Sequence, residues 1–481
     1  MPLVQISPPP GFRYLGTDLE SEGRWRDGSL VRWRDGSLRP VGGWVDRIGS
    51  APYNAAPRGM LGWEASGATR WIAAGTYNKL YATTGGGTTY DITPSTLTAG
   101  TEDATVNTGY GGGFYGQGFY GQQVQATGQY SEATTWSLDN WGQYLVAANP
   151  TDGKLWEWQL GTGSDAAVIA NAPTDCLDLV VTEDRFIFAL GASGDPRKIA
   201  WCDFEDNTLW APASTNQAGD ITLQTSGQIM AGIRTSGQTL ILTDQDAHRS
   251  TYVGAPFIHQ FERVSSACGL IARKAVVDTP AGVFWMSSAG FFTYDGSSVR
   301  EIQCDVHDKV FDDINPAQIS KCWAVPNGPH GEVWFYYPSA NSLEIDRYVV
   351  FDYKEGHWSM GAIARTSGID RGVFKTPVWG DPDGSIYNHE TGFNYDGGEV
   401  YAESGPFKIG TGENLAVVTS LIPDELNLGD VTTTFKTRLY PTSTETSHGP
   451  YTMTQPTSVR LQGRQVRMKV TGNTPSSWRV G

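Results

Sequence analysis

The stretch GVFWMSSAGFFTYDG, residues 282–296, decides the fold. Two short runs of aromatic and β-branched residues flank a small-residue turn, and an Asp-Gly pair follows. Runs of this length and composition read as paired strands. The same sentence recurs along the chain. It is written as RWIAAGTYNKLYATT (70–84), QYLVAANPTDGKLWEWQ (143–159), RFIFALGASGDPRKIAWCDF (185–204) and TLILTDQDAHRSTYVG (239–254). It returns as GEVWFYYPSANSLEIDRYVVFD (331–352) and TPVWGDPDGSIYNHE (376–390). Asp-Gly, the strongest hairpin-turn dipeptide, begins at Asp27, Asp35, Asp152, Asp295, Asp383 and Asp396. Hairpins recurring every ~45–60 residues have the spacing of propeller blades. The expected fold is therefore all-β, a β-propeller body of about six or seven blades.

Composition agrees. The 481 residues include 17 Trp, 21 Tyr and 18 Phe, and each large apolar side chain fully buried is worth roughly 1.5–3 kcal/mol. Gly, at 58 residues, exceeds the usual ~7%, which suits many short strands and tight turns. Beyond about residue 400 the texture changes. FKTRLYPTS (435–443) and GRQVRMKVTG (463–472) alternate cleanly, with Val466, Met468 and Val470 on one strand face and Arg467 and Lys469 on the other. The division expected is an N-terminal β-ribbon (1–50), a propeller-like body (51–400) and a C-terminal β-sandwich or platform (401–481). One short helix is expected in DVHDKVFDDINP (305–316). There Val306, Val310, Phe311 and Ile314 form an apolar stripe, Asp305 caps the start and Asn315-Pro316 stops the helix.

Charge and cysteines bound the function. The net charge of −16 argues against a protein that grips DNA through its phosphates, though not against one past which DNA slides. Five cysteines without CxxC spacing fit reduced thiols. No secretory signal and no apolar run of ~18 residues is visible.

Most chemical motifs fail their structural context. YGGGFYGQGFYGQ (110–122) contains GxGxxG twice, yet no helix-forming sequence follows to receive a pyrophosphate. A Gly/Tyr loop is the better reading. DPDGSIYNHE (381–390) lacks the ligand spacing of a calcium loop and reads as a turn. The seven histidines show no metal spacing, and no GxSxG, HExxH or phosphate-loop motif occurs. No cofactor, metal or catalytic residue is expected, and the chain reads as a non-enzyme.

The N-terminus repeats the heptapeptide RWRDGSL at 24–30 and 32–38. If both Asp-Gly pairs turn, strands 23–26, 29–34 and 37–41 form a meander with one Trp and arginines on each face. Such a ribbon suits a clamp between protein surfaces, and its four arginines fit an acidic body better than DNA. Arg24, Trp25, Arg32 and Trp33 are the candidate assembly contacts. Local packing on the ribbon's own domain and a subunit-spanning clamp both fit the pattern.

The order of several blocks carries a resemblance. PRKIAWCDFEDNTLWAPASTNQAGDITLQTSGQI (196–229) is followed by FERVSSACGLIARKAVVDTPAGVFWMSSAGFFTYDG (261–296), the helix at 305–314 and the strands at 333–352. VRLQGRQVRMKV and SSWRVG close the chain. With the opening GRWRDGSLVRWRDGSLRPVGGW, this order resembles the tail nozzle proteins of short-tailed bacteriophages, also described as packaged-DNA stabilisation proteins or tail-tube protein B relatives. The resemblance implies a virion protein assembled in the bacterial cytoplasm. It implies a homo-oligomer, a hexameric ring, below the portal and adaptor rings and in contact with tail fibre or tail needle proteins. Double-stranded DNA would be held and then conducted through the ring without specific binding. The bulky residues Tyr110, Phe114, Tyr115, Phe119 and Tyr120 are the candidate gate of that channel. Removal of residues 1–44 is expected to leave a folded body but weaken assembly into rings or onto the tail. Two other classes remain: a receptor- or glycan-binding tail propeller, and a propeller glycosidase, which needs two facing carboxylates.

Overall fold

The computed structural model of the protein describes residues 3–109, 124–409, 414–472 and 475–481, the side chains of 106–130 excepted. Seven four-stranded antiparallel sheets follow one another along the described chain. Their first strands are Met60–Ala65, Ser137–Trp141, Asp178–Val181, Ile229–Thr235, Val276–Thr279, Trp323–Asn327 and Ser367–Ile369. Each first strand packs beside the next, and Ser367–Ile369 returns to Met60–Ala65, so the ring closes. The fold is a seven-bladed β-propeller with these strands innermost. Blade seven borrows its outer strand, Trp44–Asp46, from the N-terminal segment, where it pairs with Ile386–His389. Joining the start of the chain to its last blade latches the ring against opening.

The seven hairpins expected from sequence are the two middle strands of the seven blades. Most positions of these strands are buried on both faces, which is why they read as near-continuous apolar runs. In blade six Glu332–Tyr337 is buried at every position. Trp323 stacks on Tyr336 with centroids 4.6 Å apart, and Trp334 lies 5.2 Å from Trp379 of blade seven.

The C-terminal platform has the main sheet order Trp25–Ser29, Tyr401–Ser404, Gln465–Gly472, Val431–Arg438, Thr446–Thr452. A second pair, Ala416–Leu421 with Thr457–Gly463, contributes Val459 and Leu461 to the core. The expected alternation holds: Val466, Met468 and Val470 are buried, while Arg467 and Lys469 are not.

Three local expectations are corrected. The first Asp-Gly is not a turn. Asp27 and Gly28 lie inside the strand Trp25–Ser29, paired with Glu403 and Ala402 across a bulge. The corner comes at Leu30 instead, at φ 57°. Only the second copy of the heptapeptide folds as a hairpin, Val31–Arg34 with Ser37–Pro40, through Asp35 (φ 52°) and Gly36 (φ 77°). The helix is shorter than its stripe, His307–Phe311, and Asp305 does not cap it. Asn315 does not end it either; its side chain accepts from Ala317 N and caps a separate 3₁₀ turn, Pro316–Lys321. The apolar stripe is nevertheless a core contact, with Val306 and Val310 buried.

The ribbon, finally, is no separable appendage. Phe12, Trp25, Leu30, Val31, Trp33 and Leu38 belong to the same core cluster as blades four to seven and the platform. Leu30 N donates to Tyr348 Oη of blade six at 2.8 Å, and Leu38 exchanges backbone hydrogen bonds with Val480 at the C-terminus.

Candidate functional site

Two clusters concentrate the chain's chemistry. The first binds the ribbon to the body. Arg32 is buried, and its guanidinium is shared between two carboxylates. Nε meets Glu332 Oε1 at 2.9 Å, and Nη2 meets Glu332 Oε2 at 3.0 Å and Glu390 Oε1 at 2.5 Å. Asn327 and Trp334 donate to Glu332, and Asn327 and Gly42 N donate to Glu390. Burial raises the Glu390 carboxyl, but Arg32 and the hydrogen bond from His330 more than reverse this and hold it well below its ordinary value. Glu332 belongs to blade six and Glu390 follows blade seven, so one arginine ties the ribbon across the closure of the ring.

The other candidate contact residues also face their own chain. Trp25 and Trp33 are buried 6.2 Å apart, and Phe12 meets Trp33 edge-on at 4.9 Å. Arg24 lies 3.8 Å from Asp305, a loose and partly exposed pair. Arg26 reaches Asp18 at 3.1 Å, and Arg34 lies between Asp352 and Glu355. All four arginines of the repeat thus meet carboxylates, as the acidic body suggested, and these carboxylates belong to the same chain.

The second cluster lies on the propeller axis. A cavity of about 270 Å³ is lined by Ser137, Asp139, Asp178, Arg234, Arg273 and Lys274 from blades two to five. Lys274 Nζ donates to Ser137 Oγ at 2.7 Å, linking blade five to blade two, and lies 3.8 Å from Asp178 Oδ1. Asp139 accepts from Val181 N at 2.9 Å, and Asp178 from Gly232 N at 3.2 Å; each acid is tied to the next blade. Asp370 of blade seven reaches back instead, accepting from Gly328 N of blade six at 3.0 Å. Arg273 Nη1 donates to the carbonyls of Ile229 and Met230. Burial raises the carboxyls of Asp139 and Asp178 and lowers the Lys274 ammonium. This is the arrangement nearest to acid–base chemistry in the described chain. Its acids, however, already register neighbouring blades through backbone N–H groups, and its lysine crosses the axis.

A hairpin arm is rooted beside this cavity. Its strands, Thr105–Gly109 and Val124–Ser131, are inserted between blades one and two. Its root is fixed by charge. Lys321 Nζ meets Asp103 Oδ1 at 2.5 Å, and Arg273 Nε lies 3.6 Å from Glu132. Gln318 exchanges hydrogen bonds with the backbone of Ala104, and Ala133 N donates to Ser320 Oγ. The candidate gate residues Tyr110, Phe114, Tyr115, Phe119 and Tyr120 lie outside the described residues.

Sequence reasoning missed the axial residues. Asp139 in SLDNW and Asp178 in DLVV are single acids in short strands, and only ring closure brings them together. The available signal was polarity on strands that should be apolar. DPDGSIYNHE is a turn: Asp381 Oδ1 accepts from Asp383 N and Ser385 N. All five cysteines are free, and burial raises the thiols of Cys176, Cys202 and Cys304 to about 12. Among the described residues no cluster of three or more His, Cys, Asp or Glu could hold a metal, and no helix is long and apolar enough to cross a membrane.

The class defined by this geometry is a seven-bladed β-propeller joined through its N-terminus to a C-terminal β-platform. No protein-family model and no curated protein matches the sequence. Among solved structures, the chain is similar to the virginiamycin B lyase of Staphylococcus aureus, at 9% identity, covering 72% of this chain and 97% of that one, with a TM-score of 0.45. It is similar to a streptogramin B lyase at 9% identity, with the same coverage and a TM-score of 0.43. PorZ, a surface component of the type-IX secretion system of Porphyromonas gingivalis, gives 8% identity, 79% of this chain, 45% of that one and a TM-score of 0.38. Likeness at this level carries no argument about activity, and the propeller rests on this chain's own seven sheets.

Proposed function

We propose that the chain is a non-enzymatic structural subunit of a phage tail nozzle, a homo-oligomeric ring that retains packaged DNA and conducts it on ejection. The order of blocks from 196 to 352, together with the two ends of the chain, gives the resemblance. The observation that carries the reading is the filled axis. Lys274 of blade five bonds Ser137 of blade two across the axial cavity of about 270 Å³, so the centre of the propeller is too narrow for a DNA duplex to pass. A conduit built from this chain therefore lies between copies, with each propeller acting as a solid wall block. The welded ribbon and platform suit that role, and the net charge of −16 suits a wall that does not hold DNA. The setting is the virion, with adaptor and fibre or needle proteins as neighbours.

The test is the native mass of the purified chain together with the position of a labelled chain on the virion. A hexameric ring at the tail is expected. A monomer at all concentrations, or absence from the tail, overturns the reading. A trimer that binds host glycan would indicate receptor recognition, and glycan turnover a glycosidase.

A further inference from the structure

We infer that the groove between blades one and seven is a binding site for a phosphate-class oxyanion. On this acidic chain the buried cations described above lie against carboxylates. One concave region departs from that pattern. A groove of about 520 Å³ is lined by Arg47, Arg70 and Lys375 together with Thr84, Gly86 and Phe374, and among the described residues no carboxylate lines it. That volume falls within the roughly 300–1,000 Å³ of small-molecule sites.

Arg47 is the informative residue. It follows the closing strand Trp44–Asp46 and is held in place from two blades. Nη1 donates to Asn388 Oδ1 at 2.8 Å and Nη2 to Gly85 O at 3.3 Å, while the guanidinium carbon lies 4.5 Å from the centre of the Phe374 ring. Among the described residues neither Arg47 nor Lys375 has a carboxylate within ion-pair distance. The adjacent Asp46 is turned into its own loop, accepting from Ile48 N and Gly49 N. Arg70 pairs with Glu64 on the exposed side, at 3.1 Å. Burial depresses the Arg47 pKa, opposed by the buried Tyr53 hydroxyl and by no carboxylate.

A half-buried, oriented cation without a counter-charge carries a desolvation cost that a bound anion offsets. Arginine presents a planar fork that fits two oxygens of one anion, and lysine adds a mobile point charge. Gly86 leaves the floor open, since a Cβ there would meet only Thr84 Oγ1, at 3.9 Å. Among the described residues the one aromatic ring in the lining, Phe374, is already covered by Arg47, so the groove offers charge and hydroxyls. The site lies within a single chain and needs no ring.

The test titrates the full-length chain with pyrophosphate and, separately, with a duplex oligonucleotide, at low and at physiological salt. Saturable one-to-one binding is expected, weakening as salt rises. Lys375→Glu and Arg47→Gln should each weaken it by about tenfold or more. Lys375 is exposed, so its variant should keep the wild-type melting temperature. Arg263→Glu makes the same charge change on the exposed outer strand of blade four and should leave binding intact. Pyrophosphate binding alone identifies a free phosphoanion as the ligand, and duplex binding lost in Lys375→Glu identifies backbone phosphates. Absence of saturable binding by both probes at low salt, or equal losses in Lys375→Glu and Arg263→Glu, overturns the site.

Discussion

Arg32 shows how much one side chain can carry when two buried acids depend on it. Removing one member of a buried charge cluster strands the others, at a cost of about 3–5 kcal/mol. Arg32→Met keeps much of the volume and should cost that amount at pH 7. The pH dependence identifies the cause. In the wild type Glu390 is depressed below 4.5, so its contribution is complete above that pH and is lost as the pH falls through the folded value. Without Arg32 the effect of burial is no longer outweighed, Glu390 rises above 4.5, and the variant suffers most where the acid must ionise. The gap in urea midpoint between variant and wild type should therefore narrow from pH 7 to pH 5. A constant gap would mean that lost packing, not a stranded charge, is the cause. The two glycines of the repeat make a second case. A Cβ on Gly28 would lie 2.3 Å from Phe12 Cζ and 2.7 Å from Tyr401 O, whereas one on Gly36 meets nothing within 4 Å. Gly28→Asn should cost about 1–3 kcal/mol or more through overpacking. Gly36→Asn places a residue tolerant of the left-handed region in an open turn and should change stability by only about 0.5 kcal/mol. Thermal melts of the two variants separate steric from conformational need for glycine.

At the scale of elements, the blades are held by tryptophans whose polar ends differ. Trp285, Trp334 and Trp379 are all buried, and each change to Ala should cost about 3–5 kcal/mol. Changes to Phe discriminate further. Trp285 Nε1 donates to Cys268 O at 2.7 Å, while Trp379 Nε1 has no hydrogen-bond partner among the described residues. Trp285→Phe leaves a buried carbonyl unsatisfied and should cost about 1–3 kcal/mol more than Trp379→Phe, measured by denaturant unfolding. Removing residues 1–46 takes away the platform's edge strand, blade seven's outer strand and Arg32 together. Loss of the cooperative transition is expected, and a native-like melt of the truncated chain would show that the latch is dispensable. The middle strands of every blade were legible in the sequence because burial on both faces writes an apolar run. Inner and outer strands were not, since one face meets solvent or the axis and admits residues such as Asp139 and Asp178. The heptapeptide at 24–30 and 32–38 marks the limit of local reading. The same seven residues make a bulged strand in one copy and a hairpin in the other, because Phe12 and Tyr401 close on Gly28 and nothing closes on Gly36. Nor could the axial cluster be seen in advance: its acids are 39 positions apart in the chain and become neighbours only when the ring closes.

For the whole molecule the governing quantity is charge. Six copies at −16 each would place −96 on one ring. Repulsion among them acts over about 30 Å at about 10 mM salt and only about 8 Å at about 0.15 M. The buried cations at the ribbon and axis are matched by acids of the same chain, so they hold no attraction in reserve for a neighbouring copy. Association on the nozzle reading must then rest on short-range packing that works against a long-range repulsion. Sedimentation across a salt series should show the ring gaining population as salt rises over that range. Anion binding in the groove of Arg47 and Lys375 should weaken over the same series, because there the attraction is what salt screens. Opposite slopes from one sample would separate a self-repelling assembly from a local cationic site. A ring that dissociates as salt rises would mean instead that ion pairs between copies hold it, and that the subunit contacts lie in basic surface matched to acidic surface across the interface.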